Sequence, residues 1–254
     1  MPHAAAYVIC GTPRSGSTLL CEMLATSGVA GRPHSYYRQQ DIAYWADQWG
    51  VPHPTGIEDA AFDRRYLSAM LQHGSGETGV FGLRIMWGSV AEASRRLAGI
   101  TDGAADIPAQ FGAAFGPVAY IHLSRLDKIA QAVSLVRAKQ SGLWHLAADG
   151  SVLEGAAAQQ AIVYDGPRIA AVFSQLQSDD AAWEDFFQTH RIEPLRLVYE
   201  TMTAAPQEAL AQVLAALGRD PDIARDIAVK TARMGNASSR EWAERFRAES
   251  GLAS

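Results

Sequence analysis

The stretch Gly11-Thr12-Pro13-Arg14-Ser15-Gly16-Ser17-Thr18 directly follows the apolar run Ala5 to Cys10. It matches the phosphate-binding pattern G-x-x-x-x-G-K-[ST] at every fixed position except one, because Ser17 stands where that pattern has lysine. Small residues at the start of a helix leave backbone N–H groups open at its positive dipole end. Gly16, Ser17 and Thr18 supply such groups, and Ser15, Ser17 and Thr18 add hydroxyl donors. The loop therefore suits a phosphate. It lacks the lysine that reaches along a triphosphate, and its own cation, Arg14, comes three residues earlier. A shorter anion fits: a 5′-phosphate carrying one extra group, with Arg14 against that group or its bridging oxygen. A tight strand–helix turn with no ligand is the bland alternative. Four small or hydroxylated residues beside a cation at a strand end are hard to explain by packing alone.

A second anion position is suggested by SRLDKIAQAVS, Ser124 to Ser134. Arg125 sits just past a strand end, and Ser134 falls on the helix that follows. The default reading is a surface arginine and a helix serine. Beside a phosphate loop on a neighbouring strand, the pair points to a second phosphate on one ligand, hence to a nucleoside bisphosphate. A kinase or ATPase is disfavoured by the missing lysine. No strand ends in an acidic pair to hold Mg²⁺, Glu200 being the lone candidate.

These residues need a frame that brings strand ends together. Continuous apolar runs bounded by turn residues read as buried parallel strands. AAYVIC is followed by a helix from Ser17 to Ser27, with Leu19, Leu20, Met23 and Leu24 on its apolar face and Gly28 ending it. Val80–Trp87 precedes a helix over Ser89–Leu97, and Pro117–Leu123 precedes one over Leu126–Gln140. Glu193–Glu200 precedes a helix over Pro206–Leu217. This alternation predicts an α/β chain of the P-loop-like three-layer kind, a central parallel sheet flanked by helices. Ligands in such sheets sit at the carboxyl ends of the strands. The segment Arg32 to Gln72 reads as short helices and loops, and Leu143 to Gly155 as a flexible loop. Asp165 is an N-cap with Pro167 at N1. The helix at Asn236–Glu249 takes Ser238 or Ser239 as its cap.

The bulk numbers bound the rest. The 254 residues suit one domain over residues 1–254, and 48 % hydrophobic content suffices for a core. A net charge of −5 argues against nucleic acid or a membrane surface as partner. Any anion must be met by local cations, of which 19 are Arg and 3 are Lys. Cys10 and Cys21 read as small buried residues rather than a disulfide. Neither a signal-like segment nor an 18-residue apolar run is present, so a cytoplasmic protein is expected. The seven histidines show no metal-ligand spacing, and no metal is expected.

The ordered set of segments carries a resemblance. TPRSGSTLL, GVAGRP, FGLRIMW, SRLDKIAQAVS, AWEDFF, EPLRLVYE and SSREWAERFR together resemble the bacterial carbohydrate sulfotransferases of the trehalose 2-sulfotransferase type. The resemblance runs through nearly the whole chain. It implies 3′-phosphoadenosine 5′-phosphosulfate as donor and a carbohydrate or related hydroxyl as acceptor, with adenosine 3′,5′-bisphosphate as product. The loop Pro13, Arg14, Ser15, Gly16, Ser17 and Thr18 would take the 5′-phosphosulfate. Arg125 and Ser134 would take the 3′-phosphate, and Arg233 would match a late arginine near the donor. A homodimer is implied as well. Arg14, the loop N–H groups and Ser17 would stabilise charge on the leaving phosphate oxygen.

Two positions depart from that pattern. The family's general base is a glutamate in a GEPxEFF-like stretch, and this chain reads Gly31-Arg32-Pro33-His34-Ser35-Tyr36-Tyr37, with Ser35 at the glutamate position. His34 is one candidate base, a residue between Arg38 and Asp47 another. The third reading is a silent nucleotide- or glycan-binding homologue. The family's lysine in FGxKxMW is Arg84 here, which keeps charge and changes geometry. Of the six tryptophans, Trp87 and Trp144 read as acceptor candidates, whereas Trp183 with Phe186 and Phe187 reads as helix packing.

Overall fold

The fold is that of a computed structural model describing residues 5–56, 59–146, 152–155, 162–229 and 237–251. Four strands form one parallel sheet in the order β2-β1-β3-β6: β1 Ala6–Gly11, β2 Phe81–Met86, β3 Val118–Ser124 and β6 Leu195–Val198. Every residue of β1 is buried, because both faces of this central strand are covered. Its alternation divides the interior. Ala6, Val8 and Cys10 join one apolar cluster, and Tyr7 and Ile9 join another on the opposite face.

The first cluster is roofed by α3 (Ala60–Ser75), α4 (Trp87–Ala98), α5 (Ile107–Phe115) and the long α7 (Gly166–Thr189), through residues such as Tyr66, Leu97, Phe111 and Trp183. The second is roofed by α1 (Ser17–Ser27) and α9 (Pro206–Ala216), through Leu20, Leu24, Leu210 and Leu214. A third cluster joins α6 (Lys128–Ser141), α7 and α10 (Ala237–Ser250). The result is an α/β architecture with a central parallel four-stranded sheet between helical layers. The remaining helices are α2 (Ile42–Gln48) and α8 (Tyr199–Ala204).

Several expectations shift. The segment Arg32 to Gln72 contains most of a 16-residue helix, α3, started by Asp59, whose carboxylate accepts from the Phe62 N–H at 2.9 Å. Helix α5 adds a further element. Leu143 to Gly155 was expected as a loop, but β4 (Leu143–Leu146) pairs antiparallel with β5 (Val152–Gly155). Strand β6 is short, because Tyr199 and Glu200 already belong to α8. Ser238 and Ser239 lie within α10 rather than capping it. Asp165 does cap α7, accepting from the Arg168 N–H at 2.9 Å. Cys10 and Cys21 are free and buried. Among the described residues, no helix is long and apolar enough to cross a membrane.

Trp183 ties α7 to the end of β1. It is 1 % exposed, and its indole N–H donates to the Gly11 carbonyl at 3.0 Å. Trp183→Phe removes that donor and part of the packed ring. The expected loss of unfolding free energy is about 2 kcal/mol. Urea denaturation of the two proteins measures it, and an unchanged midpoint would show that this contact is idle.

Candidate functional site

The carboxyl ends of the four strands open onto one cleft of about 890 Å³. That is roomy for a small-molecule site. The loop from Thr12 to Gly16, between β1 and α1, forms one side of it. Arg14 (φ 66°) and Gly16 (φ 85°) both have left-handed backbone. At Gly16 a side chain is doubly excluded, since a Cβ there would lie 2.6 Å from Met202 Cε and 2.8 Å from the Tyr199 ring. No side chain caps the start of α1. Its first N–H groups thus lie uncapped by any side chain at the positive end of the helix dipole, where an anion would be favoured. Pro13, Arg14, Gly16, Ser17 and Thr18 line the cleft. Ser15 does not: it lies fully buried under the loop, and its hydroxyl has no hydrogen-bond partner.

Arg125 and Ser134 each contact the loop directly. The Arg125 guanidinium donates to the Arg14 carbonyl at 3.1 Å and lies 4.3 Å from the centre of the Tyr199 ring. Arg14 Nε donates to Ser134 Oγ at 3.0 Å, and its NH1 to the Trp144 carbonyl at 2.6 Å. Arg14 therefore sits between the two expected anion positions rather than in one of them. Lys139, Arg240 and Arg247 add charge on the side of β3 and β6. The two carboxylates of the lining, Asp127 and Glu244, are on that side too. Asp127 is engaged by Arg247 at 2.7 Å and by the Ala130 N–H at 2.9 Å. Arg233 lies outside the described residues.

On the β2 side the lining includes Ser35, Arg38, Gln40 and Arg84. Arg84, 8 % exposed, donates to Ser35 Oγ at 2.7 Å and to Thr18 Oγ1 at 2.8 Å, so it ties β2 to the Ser35 segment and to the start of α1. Arg38 is held by the Asp41 carboxylate. His34 points elsewhere. Its ring packs edge-on against Trp45 at 4.7 Å, and its Nδ1 accepts the Ser35 N–H at 2.9 Å. Burial first, then the neighbouring Arg84 and Arg38, push its pKa down to about 3. An imidazole that resists a proton this strongly is a feeble base.

One further expectation is corrected. Trp87 is not at the cleft; it packs edge-on against Trp183 at 5.0 Å. Trp144 does line it. Glu200 is not poised for a metal, because its carboxylate accepts the Leu126 and Asp127 N–H groups at 3.1 and 3.2 Å and so pins the start of α6. Among the described residues no cluster of three or more His, Cys, Asp or Glu is placed to hold a metal ion.

Sequence reasoning missed what holds the loop up. Gln131 is fully buried, and its amide N–H groups donate to Thr12 Oγ1 at 2.9 Å and to the Pro13 carbonyl at 2.7 Å. Its carbonyl accepts from Lys128 Nζ at 3.1 Å. Lys128 pairs with Asp180, and Thr12 donates to Asp180 at 3.1 Å. The four side chains thus close a ring between the loop, α6 and α7. Gln131→Leu keeps the volume and leaves the buried Thr12 hydroxyl, the half-buried Pro13 carbonyl and the Lys128 ammonium each one partner short. If the loop holds adenosine 3′,5′-bisphosphate, its binding should weaken about tenfold, and about 2 kcal/mol of stability should be lost. Calorimetry and urea denaturation read the two separately; wild-type affinity would refute the bracing role.

The chain is similar to known proteins along nearly its whole length. The family model described as Stf0 sulphotransferase matches residues 6–249. The trehalose 2-sulfotransferase of Mycobacterium tuberculosis is 30 % identical over 261 residues, covering 96 % of this chain and 94 % of that protein. The trehalose 2-sulfotransferase of Mycolicibacterium smegmatis is 28 % identical over 265 residues, covering 96 % and 95 %.

Proposed function

This chain belongs to the Stf0 sulphotransferase family, and from that premise we propose that it moves a sulfuryl group from 3′-phosphoadenosine 5′-phosphosulfate to a hydroxyl of a carbohydrate or related small molecule. The observation that carries this reading is the uncapped, left-handed entry to α1 at Gly16, set in a cleft lined by arginines. The donor supplies the group transferred: the acceptor oxygen bonds to sulfur as the sulfur–oxygen bond to the 5′-phosphate breaks, the electron pair stays on the phosphate, and the hydroxyl proton is released.

The chain's own residues bind and stabilise. Pro13, Arg14, Gly16, Ser17 and Thr18 hold the 5′ end, with the Ser15 N–H and buried hydroxyl beneath them. Arg125 and Ser134 hold the 3′-phosphate. Arg14, lying between the two positions, and Ser17 stabilise the charge that grows on the leaving oxygen, without reorganisation at the moment of reaction. Arg233 belongs to the same reading on the strength of the resemblance alone. His34 stays outside the chemistry in this mechanism, since its lone pair is engaged and its proton affinity is low. The reading takes residues 1–254 as one sulfotransferase-like domain, a cytoplasmic homodimer that needs no metal.

One observation favours a second reading. With Ser35 and two guanidinium groups on the β2 side, no base of ordinary strength lines that wall among the described residues. A silent nucleotide- or glycan-binding protein is consistent with that. Titration calorimetry with adenosine 3′,5′-bisphosphate, with and without Mg²⁺ and against ATP, is the first test. Saturable, metal-independent binding selective over ATP supports both readings. Sulfate transfer from the labelled donor to any hydroxyl acceptor then separates them. Mg²⁺-dependent turnover of ATP would sink both.

A further inference from the structure

Resting on the sulfotransferase reading, we infer that the acceptor carries a carboxylate beside the hydroxyl to be sulfated, and that Arg84 receives it. Arg84 is more than nine-tenths buried, and its hydrogen bonds are to two neutral hydroxyls, Ser35 Oγ and Thr18 Oγ1. No carboxylate among the described residues forms an ion pair with it. A buried charge compensated only by hydroxyls is costly, and proteins ordinarily pair it. Arg38, the other cation on this wall, is already neutralised by Asp41. The missing negative charge is therefore brought by a ligand.

The lining chemistry selects the acceptor as its carrier. Neutral sugars present many O–H donors and are held by side chains that accept. The β2 side offers two guanidinium groups that can only donate, three groups that donate or accept (Ser35, Ser89 and the amide of Gln40), and no carboxylate among its lining residues. Such a wall is a poor host for a polyol and a good one for an oxyanion held by an arginine fork. The donor's anionic ends have cations of their own in Arg14 and Arg125, on the other side of the loop.

The test uses matched panels of acceptors: uronic acid glycosides, the corresponding uronamides and the parent neutral glycosides. Labelled sulfate transfer and competition are measured on the full chain. Wild type is expected to prefer at least one acid over its amide by about tenfold or more. Arg84→Met should bring that ratio to about one while adenosine 3′,5′-bisphosphate affinity is retained. Should Arg84→Met fold poorly, Ser35→Glu serves: a carboxylate there lies against the guanidinium, neutralises it, and should abolish the preference for acids. Transfer to neutral glycosides as fast as to their acids overturns the inference, and so does a panel in which no acid exceeds its amide. If Arg84→Met weakens binding of the sulfated donor but not of the bisphosphate and leaves the acid-to-amide ratio intact, Arg84 serves the sulfuryl group and the inference falls. The bisphosphate titration of wild type is the independent arm. Binding there with no preference for acids sinks only this inference, whereas no binding sinks the sulfotransferase reading with it.

Discussion

Arg125→Ala is expected to weaken adenosine 3′,5′-bisphosphate binding by about 10²- to 10³-fold, and Arg125→Lys by about tenfold. Arg125 has two jobs in the geometry. Its guanidinium donates to the Arg14 carbonyl at 3.1 Å, at a residue with φ 66°, and it stacks on Tyr199 at 4.3 Å. Tyr199 in turn closes over Gly16. Removing the side chain deletes a cation from the cleft and one support from a backbone turn that L-residues rarely adopt. Lysine restores the charge but neither the fork nor the flat stacking face. The check is calorimetric, with adenosine 5′-monophosphate run alongside. If Arg125 serves the 3′-phosphate, the monophosphate loses far less than the bisphosphate. Equal losses for both ligands would mean that the residue only shapes the loop. A drop below about fivefold would remove it from the donor site altogether.

The frame of this site was readable because it rests on local signals. An apolar run, a glycine-bounded turn and an amphipathic stretch place β1, the loop and α1 with no knowledge of the rest. The strand–helix alternation gives the parallel sheet. Helix α3 was missed because prolines and aromatics upstream suggested irregular chain, although Phe62, Tyr66 and Met70 recur at helical spacing. Strand β6 was read too long because Tyr199 and Glu200 continue its apolar run in sequence while their backbone turns into α8. The hairpin of β4 and β5 carries little of the alternation that marks a strand.

The site was legible as a list of residues and not as a set of contacts. Arg14 and Ser134 were assigned to different phosphates, yet 120 positions apart in sequence they touch. Ser35 was noticed for what it replaces and Arg84 for its altered geometry, but their hydrogen bond joins chain segments 49 residues apart. No periodicity encodes such a pairing. Gln131 did leave a trace. It is the polar residue on an otherwise apolar buried face of α6, beside Ile129, Ala132, Val133, Leu135 and Val136. A buried amide needs partners, and the nearest polar backbone is the loop.

Acid stability should report on the packing behind Ser35, where His34 lies. The pKa of His34 is pushed down to about 3, by burial and then by Arg84 and Arg38, against about 6.5 in an unfolded chain. Below pH 6.5 the unfolded chain binds a proton that the folded one refuses. Stability from this residue is therefore complete above pH 6.5 and is lost as pH falls, until the folded state also binds the proton near pH 3. The slope is about 1.4 kcal/mol per pH unit, so folding should weaken by about 3 kcal/mol between pH 7 and pH 4 on account of His34 alone. His34→Gln keeps an acceptor for the Ser35 N–H and cannot titrate. It should be less stable than wild type at pH 7, where ring packing against Trp45 is lost, and should close that gap or reverse it by pH 4. Urea denaturation across this range gives both curves. Parallel curves would show that His34 titrates normally, and an imidazole with ordinary proton affinity beside Ser35 would then return as a candidate base for the acceptor hydroxyl.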